Sequence, residues 1–173
     1  MLDIQNAAAV PTVTHREDYR PPDWLVPTVR LVFDLSAERT RVRATLSVER
    51  NGDHGRPLRL DGDGLTPITV RIDGEETANW TLEDGVLVLP LDKAAYSIET
   101  EVELNPAANT KLMGLYASSG LLCTQCEAEG FRRITFFPDR PDVLSCYQVR
   151  MEAVRGEFPV LLCNGDSTGK GNL

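Results

Sequence analysis

Apolar and polar positions alternate along most of this chain, and the alternation starts at Val29. Val29, Leu31, Phe33 and Leu35 take one side with Arg30, Val32 and Asp34 between them, the period-two pattern of a half-buried strand. Ser36-Ala37-Glu38 supplies a turn. Val42, Ala44, Leu46 and Val48 then alternate with Arg41, Arg43, Thr45, Ser47 and Glu49, which predicts a second strand antiparallel to the first. Asn51-Gly52-Asp53-His54-Gly55 is a strong turn signal. Shorter strands follow at 58–60, 68–72, 80–82 and 86–89, punctuated by Asp61-Gly62-Asp63-Gly64, Asp73-Gly74 and Glu83-Asp84-Gly85. Asp-Gly pairs tolerate the positive φ that tight hairpins demand. Ile98, Thr100, Val102 and Leu104 alternate with glutamates at 99, 101 and 103, giving a strand with a solvated acidic face.

The second half keeps the same style. Strands are predicted at 114–117, 133–137, 147–154 and 158–163, with Tyr147, Val149, Met151 and Ala153 sharing a face. Pro141-Asp142-Val143-Leu144 predicts one helical turn with proline first. No stretch of 11 residues has helical periodicity. The expectation is an all-β sandwich of mostly antiparallel strands over residues 28–173, led by an extended, proline-punctuated arm at 1–27. The tail from Asn164 to Leu173 is turn chemistry and reads as a fragment cut in a loop, without a closing strand.

Composition narrows the partners. The chain has 173 residues, 42% of them hydrophobic and 25% charged, enough for one domain with a sizeable core. A net charge of −8 argues against nucleic acid and anionic membrane surfaces, which need clustered Lys and Arg. It weakly favours a cationic ligand such as a protonated amine. No apolar run reaches the roughly 18–20 residues of a membrane span, and residues 1–13 lack the basic start of a signal peptide. The default location is the cytoplasm, where four cysteines are free thiols rather than a disulfide framework.

The chemistry concentrates between Cys123 and Arg133: two thiols, two carboxylates and an amide, expected in a turn or loop between strands. Cys123-x-x-Cys126 admits a redox pair, half of a zinc site, or small buried or loop thiols. A low-pKa redox thiol wants a helix N-terminus and structural zinc wants a second ligand pair, and neither is evident. The Gly165–Gly171 run lacks the residue order of a phosphate loop. Asp61-Gly62-Asp63-Gly64 lacks the glutamate and flanking helices of a calcium loop, and a hairpin turn accounts for it better. Glu127 and Glu129 remain. An isolated loop glutamate is usually just solvated, but Gln125 and two cysteines precede Glu127. A carboxylate with a neighbouring amide offers charge and acceptors suited to an ammonium group.

Several segments in order carry a family resemblance. Asn105-Pro106-Ala107-Ala108-Asn109-Thr110, Gly114-Leu115-Tyr116, Leu122–Arg132 and Asp139-Arg140-Pro141-Asp142-Val143 look like the N-terminal domain of bacterial aminopeptidase N, a zinc metallopeptidase of the gluzincin class. The opening His15–Trp24 is similar to that family's proline-rich arm and first strand. The resemblance implies a saddle-shaped β-sandwich packed on a thermolysin-like catalytic domain. It implies that Glu127 binds the free α-amino group of a peptide N-terminus and that Gln125 lines the pocket for the first side chain.

The catalytic parts of that family are absent here. No His-Glu-x-x-His and no Gly-x-Met-Glu-Asn segment occurs, and a catalytic zinc needs three protein ligands and a general base. The expectation is a substrate-recognition part that is inactive alone and has no catalytic or metal-ligating residue of its own, with zinc held by the full-length enzyme. The alternative is a stand-alone sandwich module with a redox- or zinc-sensitive cysteine loop.

Overall fold

The computed structural model describes residues 15–172. Residues 1–14 of the expected arm lie outside it. The arm also ends earlier than expected, because strand β1 begins at Trp24 and runs to Leu35. Strand β2 (Thr40–Arg50) returns antiparallel beside it, with Val29 opposite Leu46 and Phe33 opposite Val42. Strands β3 (Leu58–Leu60), β4 (Pro67–Ile72), β5 (Glu75–Glu76), β6 (Thr81–Glu83), β7 (Val86–Leu89) and β8 (Ala95–Leu104) follow. Then come β9 (Gly114–Ser118), β10 (Leu121–Gln125) and β11 (Cys146–Ala153).

These strands form three sheets. The large one has six strands in the order β11-β1-β2-β8-β4-β5, a smaller one runs β3-β7-β6, and β9 and β10 pair as a hairpin. All pairings are antiparallel except β1 with β11, which is parallel and joins Thr28 to Cys146. The Ser145 hydroxyl donates to the Val26 carbonyl at 2.6 Å across 119 residues of sequence, fastening the start of that pairing. The fold is the expected β-sandwich. Three hairpin turns are Asp73-Gly74, Asp84-Gly85 and Ser119-Gly120, with positive φ at both residues of each, the geometry that matches strand twist.

One core unites the sheets. Val29, Leu31, Val42, Leu46, Val48, Ile98 and Val102 from the large sheet meet Leu58, Leu60, Leu87 and Leu89 from the smaller one, all essentially inaccessible. At about 25 cal/mol per Å² of apolar surface, this burial is the main favourable contribution to folding. On the outer face, Glu101 and Glu103 are not merely solvated. Glu103 pairs with Arg39 at 2.7 Å and Arg41 at 3.4 Å, and Glu101 with Arg41 at 3.2 Å.

Several local expectations are corrected. Residues 133–137 are not a strand. Phe131–Arg133 is a 3₁₀ turn, and Phe137 makes an isolated antiparallel bridge to Asp61. Ile134, Thr135, Phe136 and Phe137 are all buried, so the run of apolar residues reflects a segment sunk in the core. Residues 158–163 form no strand either. Among the described residues no strand pairs with them, and Val160 and Leu162 are 70% and 86% exposed. Pro141–Leu144 is a turn closed by Val143 N–H to the Arg140 carbonyl at 3.2 Å, not a helical turn. Asp61–Gly64 is not a hairpin turn, because β3 and β4 lie in different sheets. The face shared by Tyr147 and Val149 is open, with Tyr147 48% exposed. Among the described residues no helix is long and apolar enough to cross a membrane.

Candidate functional site

The cysteine segment is strand for its first three residues and turn thereafter. Cys123, Thr124 and Gln125 belong to β10, whose last residue, Gln125, pairs with Gly114 of β9. The chain then doubles back, with Gly130 N–H donating to the Cys126 carbonyl at 2.8 Å. Gly114 has a φ of +73°, and a Cβ there would lie 2.7 Å from Cβ of Arg133. Only glycine meets both demands, so the hairpin can lie close against the segment that follows the turn. Within the turn the Glu127–Ala128 peptide is cis and Glu129 has a φ of +65°.

Gln125 and Glu127 are brought together, though not carboxylate to amide. Gln125 Nε2 donates to the backbone carbonyl of Glu127 at 3.1 Å, and both side chains are exposed. Among the described residues Glu127 makes no ion pair, whereas Glu129 pairs with Arg132 at 3.3 Å. The two carboxylates that look equivalent in sequence therefore differ: one is bound to its neighbour and the other is presented to solvent.

The base of the turn is fixed by groups that sequence reasoning missed. Arg132 N–H and Nε both donate to Oδ2 of Asp139, at 3.0 and 3.1 Å, and its terminal nitrogen reaches the Asp139 carbonyl at 2.9 Å. Asp139 N–H in turn donates to Oδ2 of Asp61 at 3.0 Å. Arg133 pairs with Asp63, and Asp63 N–H donates to the Arg132 carbonyl at 2.9 Å. Asp61 and Asp139 are 78 residues apart in sequence, and no local signal links them. Asn109 braces the approach to β9, its Nδ2 donating to the carbonyls of Met113 and Leu115 at 2.8 Å each.

Behind the turn sits an aromatic cluster. Phe131 meets Phe137 edge-on at 5.0 Å and Tyr147 at 5.9 Å between ring centroids. Cys126 packs on the core at this point. Burial, with the Asp139 carboxylate adding to it, pushes the Cys126 thiol above its ordinary value. Burial likewise pushes the Tyr147 phenol up. A redox pair needs a thiol moved the other way. All four cysteines are free. Among the described residues no three His, Cys, Asp or Glu side chains gather where they could hold a metal ion, so these residues do not fit the zinc of the resembling family.

A scan against protein-family profiles finds no match. Curated relatives are clear, however. The chain is 49% identical over 165 residues to aminopeptidase N of Caulobacter vibrioides and 42% identical over 163 residues to aminopeptidase N of Escherichia coli. Each alignment takes in 94% of this chain and 19% of the relative, so the chain spans about a fifth of the proteins it matches. Among solved structures, Legionella pneumophila aminopeptidase A in complex with aspartic acid superposes with a TM-score of 0.80 at 32% identity, over 86% of this chain and 18% of that one. A Deinococcus radiodurans M1 zinc metallopeptidase shares the fold alone, with a TM-score of 0.64 at 17% identity over 77% of this chain and 33% of that one. In sequence and in fold, the chain corresponds to the N-terminal part of bacterial aminopeptidase N.

Proposed function

We propose that this chain is the substrate-recognition part of a zinc-dependent aminopeptidase and that Glu127 binds the free α-ammonium group of the peptide. The observation that carries the reading is the contrast at the turn: Glu129 is paired with Arg132, while Glu127 is exposed and makes no ion pair among the described residues. An unpaired carboxylate on a braced turn is suited to a cationic ligand, and an ammonium supplies three donors. Gln125 contributes in two ways. Its NH2 group holds the Glu127 backbone, which leaves its amide oxygen as a further acceptor beside the ammonium or against the first side chain.

Hydrolysis belongs to a thermolysin-like catalytic domain elsewhere in the longer protein, which holds the zinc and works in the cytoplasm. A metal held by that domain, and not by the described residues of this chain, would supply the Lewis-acid chemistry of hydrolysis. The residues of this chain position the peptide: Glu127 counts one residue back from the scissile bond by its charge, so a peptide with a blocked amine neither pairs nor fits. The Legionella relative was solved with aspartic acid, which carries a free α-amine. The Cys-x-x-Cys module reading is disfavoured by the raised Cys126 thiol.

The test is Glu127→Ala in the complete enzyme, with kcat/KM measured on a free-amine peptide substrate. Losing the partner of a desolvated ammonium costs about 2–5 kcal/mol, a drop on the order of 30- to 4,000-fold. An unchanged kcat/KM in a folded variant would sink the reading.

A further inference from the structure

We propose that Asp139 is a positioning residue for α-amine recognition, acting through Arg132 to aim the turn that carries Glu127. The proposal rests on the amine-binding reading above and extends it to residues outside the turn.

A carboxylate that must meet an ammonium needs a fixed backbone beneath it. The turn Cys126–Gly130 is tied locally by Gln125 Nε2 to the Glu127 carbonyl, Gly130 N–H to the Cys126 carbonyl and Arg133 N–H to the Gly130 carbonyl. Its other end is held by Arg132. That guanidinium spans Glu129 at 3.3 Å on the turn and Asp139 at 3.1 Å off it. The Asp139 side chain is 15% exposed and that of Arg132 is 24% exposed, against 69% for Glu129. The pair is thus well shielded, and the solvent-facing arm of the clamp is the one nearest Glu127.

A single oxygen does most of the holding. Asp139 Oδ2 accepts from both the backbone N–H and Nε of Arg132. Asp139 is itself located from the segment just after β3, by Asp61 Oδ2 accepting its N–H at 3.0 Å and by the two backbone bonds between Asp61 and Phe137. The acidic Asp61–Gly64 segment thereby gains a role that its sequence does not announce: it ties the smaller sheet to the recognition turn. Removing the Asp139 carboxylate leaves the Arg132 guanidinium with the Asp139 carbonyl, exposed Glu129 and the more distant charge of Asp61, and the turn loses its two-pronged anchor.

The prediction is a loss of aim rather than of charge. In the complete enzyme, Asp139→Ala lowers kcat/KM for a free-amine peptide on the order of 10- to 100-fold, the scale of a misplacement near 1 Å. The loss appears mainly in KM, and Asp139→Asn recovers most of it, because asparagine keeps one acceptor oxygen. The deciding measurement is a double-mutant cycle with Glu127→Ala. If Asp139 works through the turn, adding Asp139→Ala to Glu127→Ala costs little more. Fully additive losses, or a wild-type kcat/KM for Asp139→Ala alone, overturn the proposal while leaving amine binding by Glu127 intact. A Glu127→Ala enzyme with normal kcat/KM fails the underlying reading instead, whatever Asp139 does. Should Asp139→Ala not fold, Arg132→Lys carries the same cycle, since it keeps the charge and loses the two-pronged grip.

Discussion

A Cβ placed on Gly130 would lie 2.6 Å from the carbonyl oxygen of Gln125 and 2.7 Å from Cα of Cys126. The returning turn is therefore packed against the end of β10 at a distance that only glycine allows, and backbone atoms cannot yield as a flexible side chain would. Gly130→Ala is expected to destabilise the protein by about 1–3 kcal/mol, the usual cost of forcing atoms into a filled space. Urea denaturation of the variant checks it. In the complete enzyme the same substitution should weaken binding of free-amine substrates, because the site's two residues flank the displaced point.

The sheet centre should be far less forgiving than the site. Leu46 is completely inaccessible at the middle of β2, with Ile98 as its β8 partner. Leu46→Ala is expected to cost about 2–5 kcal/mol through lost burial and a residual cavity. Thermal or urea unfolding reads that cost directly. A value below about 1 kcal/mol would show that the core collapses around the gap.

Stability should fall in acid. Hydrogen bonding from Arg56 holds the Asp23 carboxyl below its usual range, as that from Arg140 does for Asp142 and that from Arg39 for Glu103. A carboxyl depressed in the folded state binds fewer protons there than in the unfolded chain, so stability rises with pH. The contribution is fully present above the unfolded values, about 3.9 for Asp and 4.3 for Glu, and is lost as the pH drops through the lower folded ones. The urea midpoint is expected to decline between about pH 5 and pH 2. Arg56→Ala should flatten that decline by removing the Asp23 component.

Thiol chemistry should sort the cysteines by position. Cys146 and Cys163 are exposed, while Cys123 and Cys126 are half-buried and the Cys126 thiol is pushed up. Since the thiolate is the reactive form, Cys126 is expected to label last with a disulfide reagent. Following the time course in single Cys→Ser variants assigns each phase. Cys126 labelling first would return the redox reading to consideration.

Gln125 offers a separate handle on specificity. In the complete enzyme, Gln125→Ala is expected to change the relative kcat/KM among peptides that differ in their first side chain, while a blocked amine stays unprocessed. A uniform loss across the series would mean that its bond to the Glu127 backbone is its whole contribution.

Much of the sandwich was legible because each long strand buries one face and wets the other. Val42, Ala44, Leu46 and Val48 are buried while Arg41, Arg43 and Ser47 are exposed, and that contrast is written in the residues. The pattern misleads where burial is two-sided or absent. Ile134–Phe137 reads as strand because its residues are apolar, yet they are buried in succession without pairing along a sheet. Phe158–Cys163 has strand-like composition and, among the described residues, no strand paired with it. At the site, residue chemistry and the resemblance, not periodicity, pointed to Gln125 and Glu127. Asp139 and Asp61 were invisible, because their meeting brings the end of β3 against the loop before β11, 78 residues away.

The parallel seam between β1 and β11 carries a consequence for how the protein is made. Strands β1 and β2 can pair as soon as both have emerged, but the seam must wait for a partner 119 residues away, as the Ser145–Val26 bond measures. At synthesis rates of about 5–20 residues per second, that wait lasts roughly 6–24 seconds. Throughout it, the outer edge of β1 presents unpaired backbone groups, a ready template for another chain. The nascent polypeptide is therefore most exposed to self-association in this interval, and a holdase that grips extended apolar segments would protect it there. Once Cys146–Ala153 arrives, the edge is sealed and β11 becomes the new border.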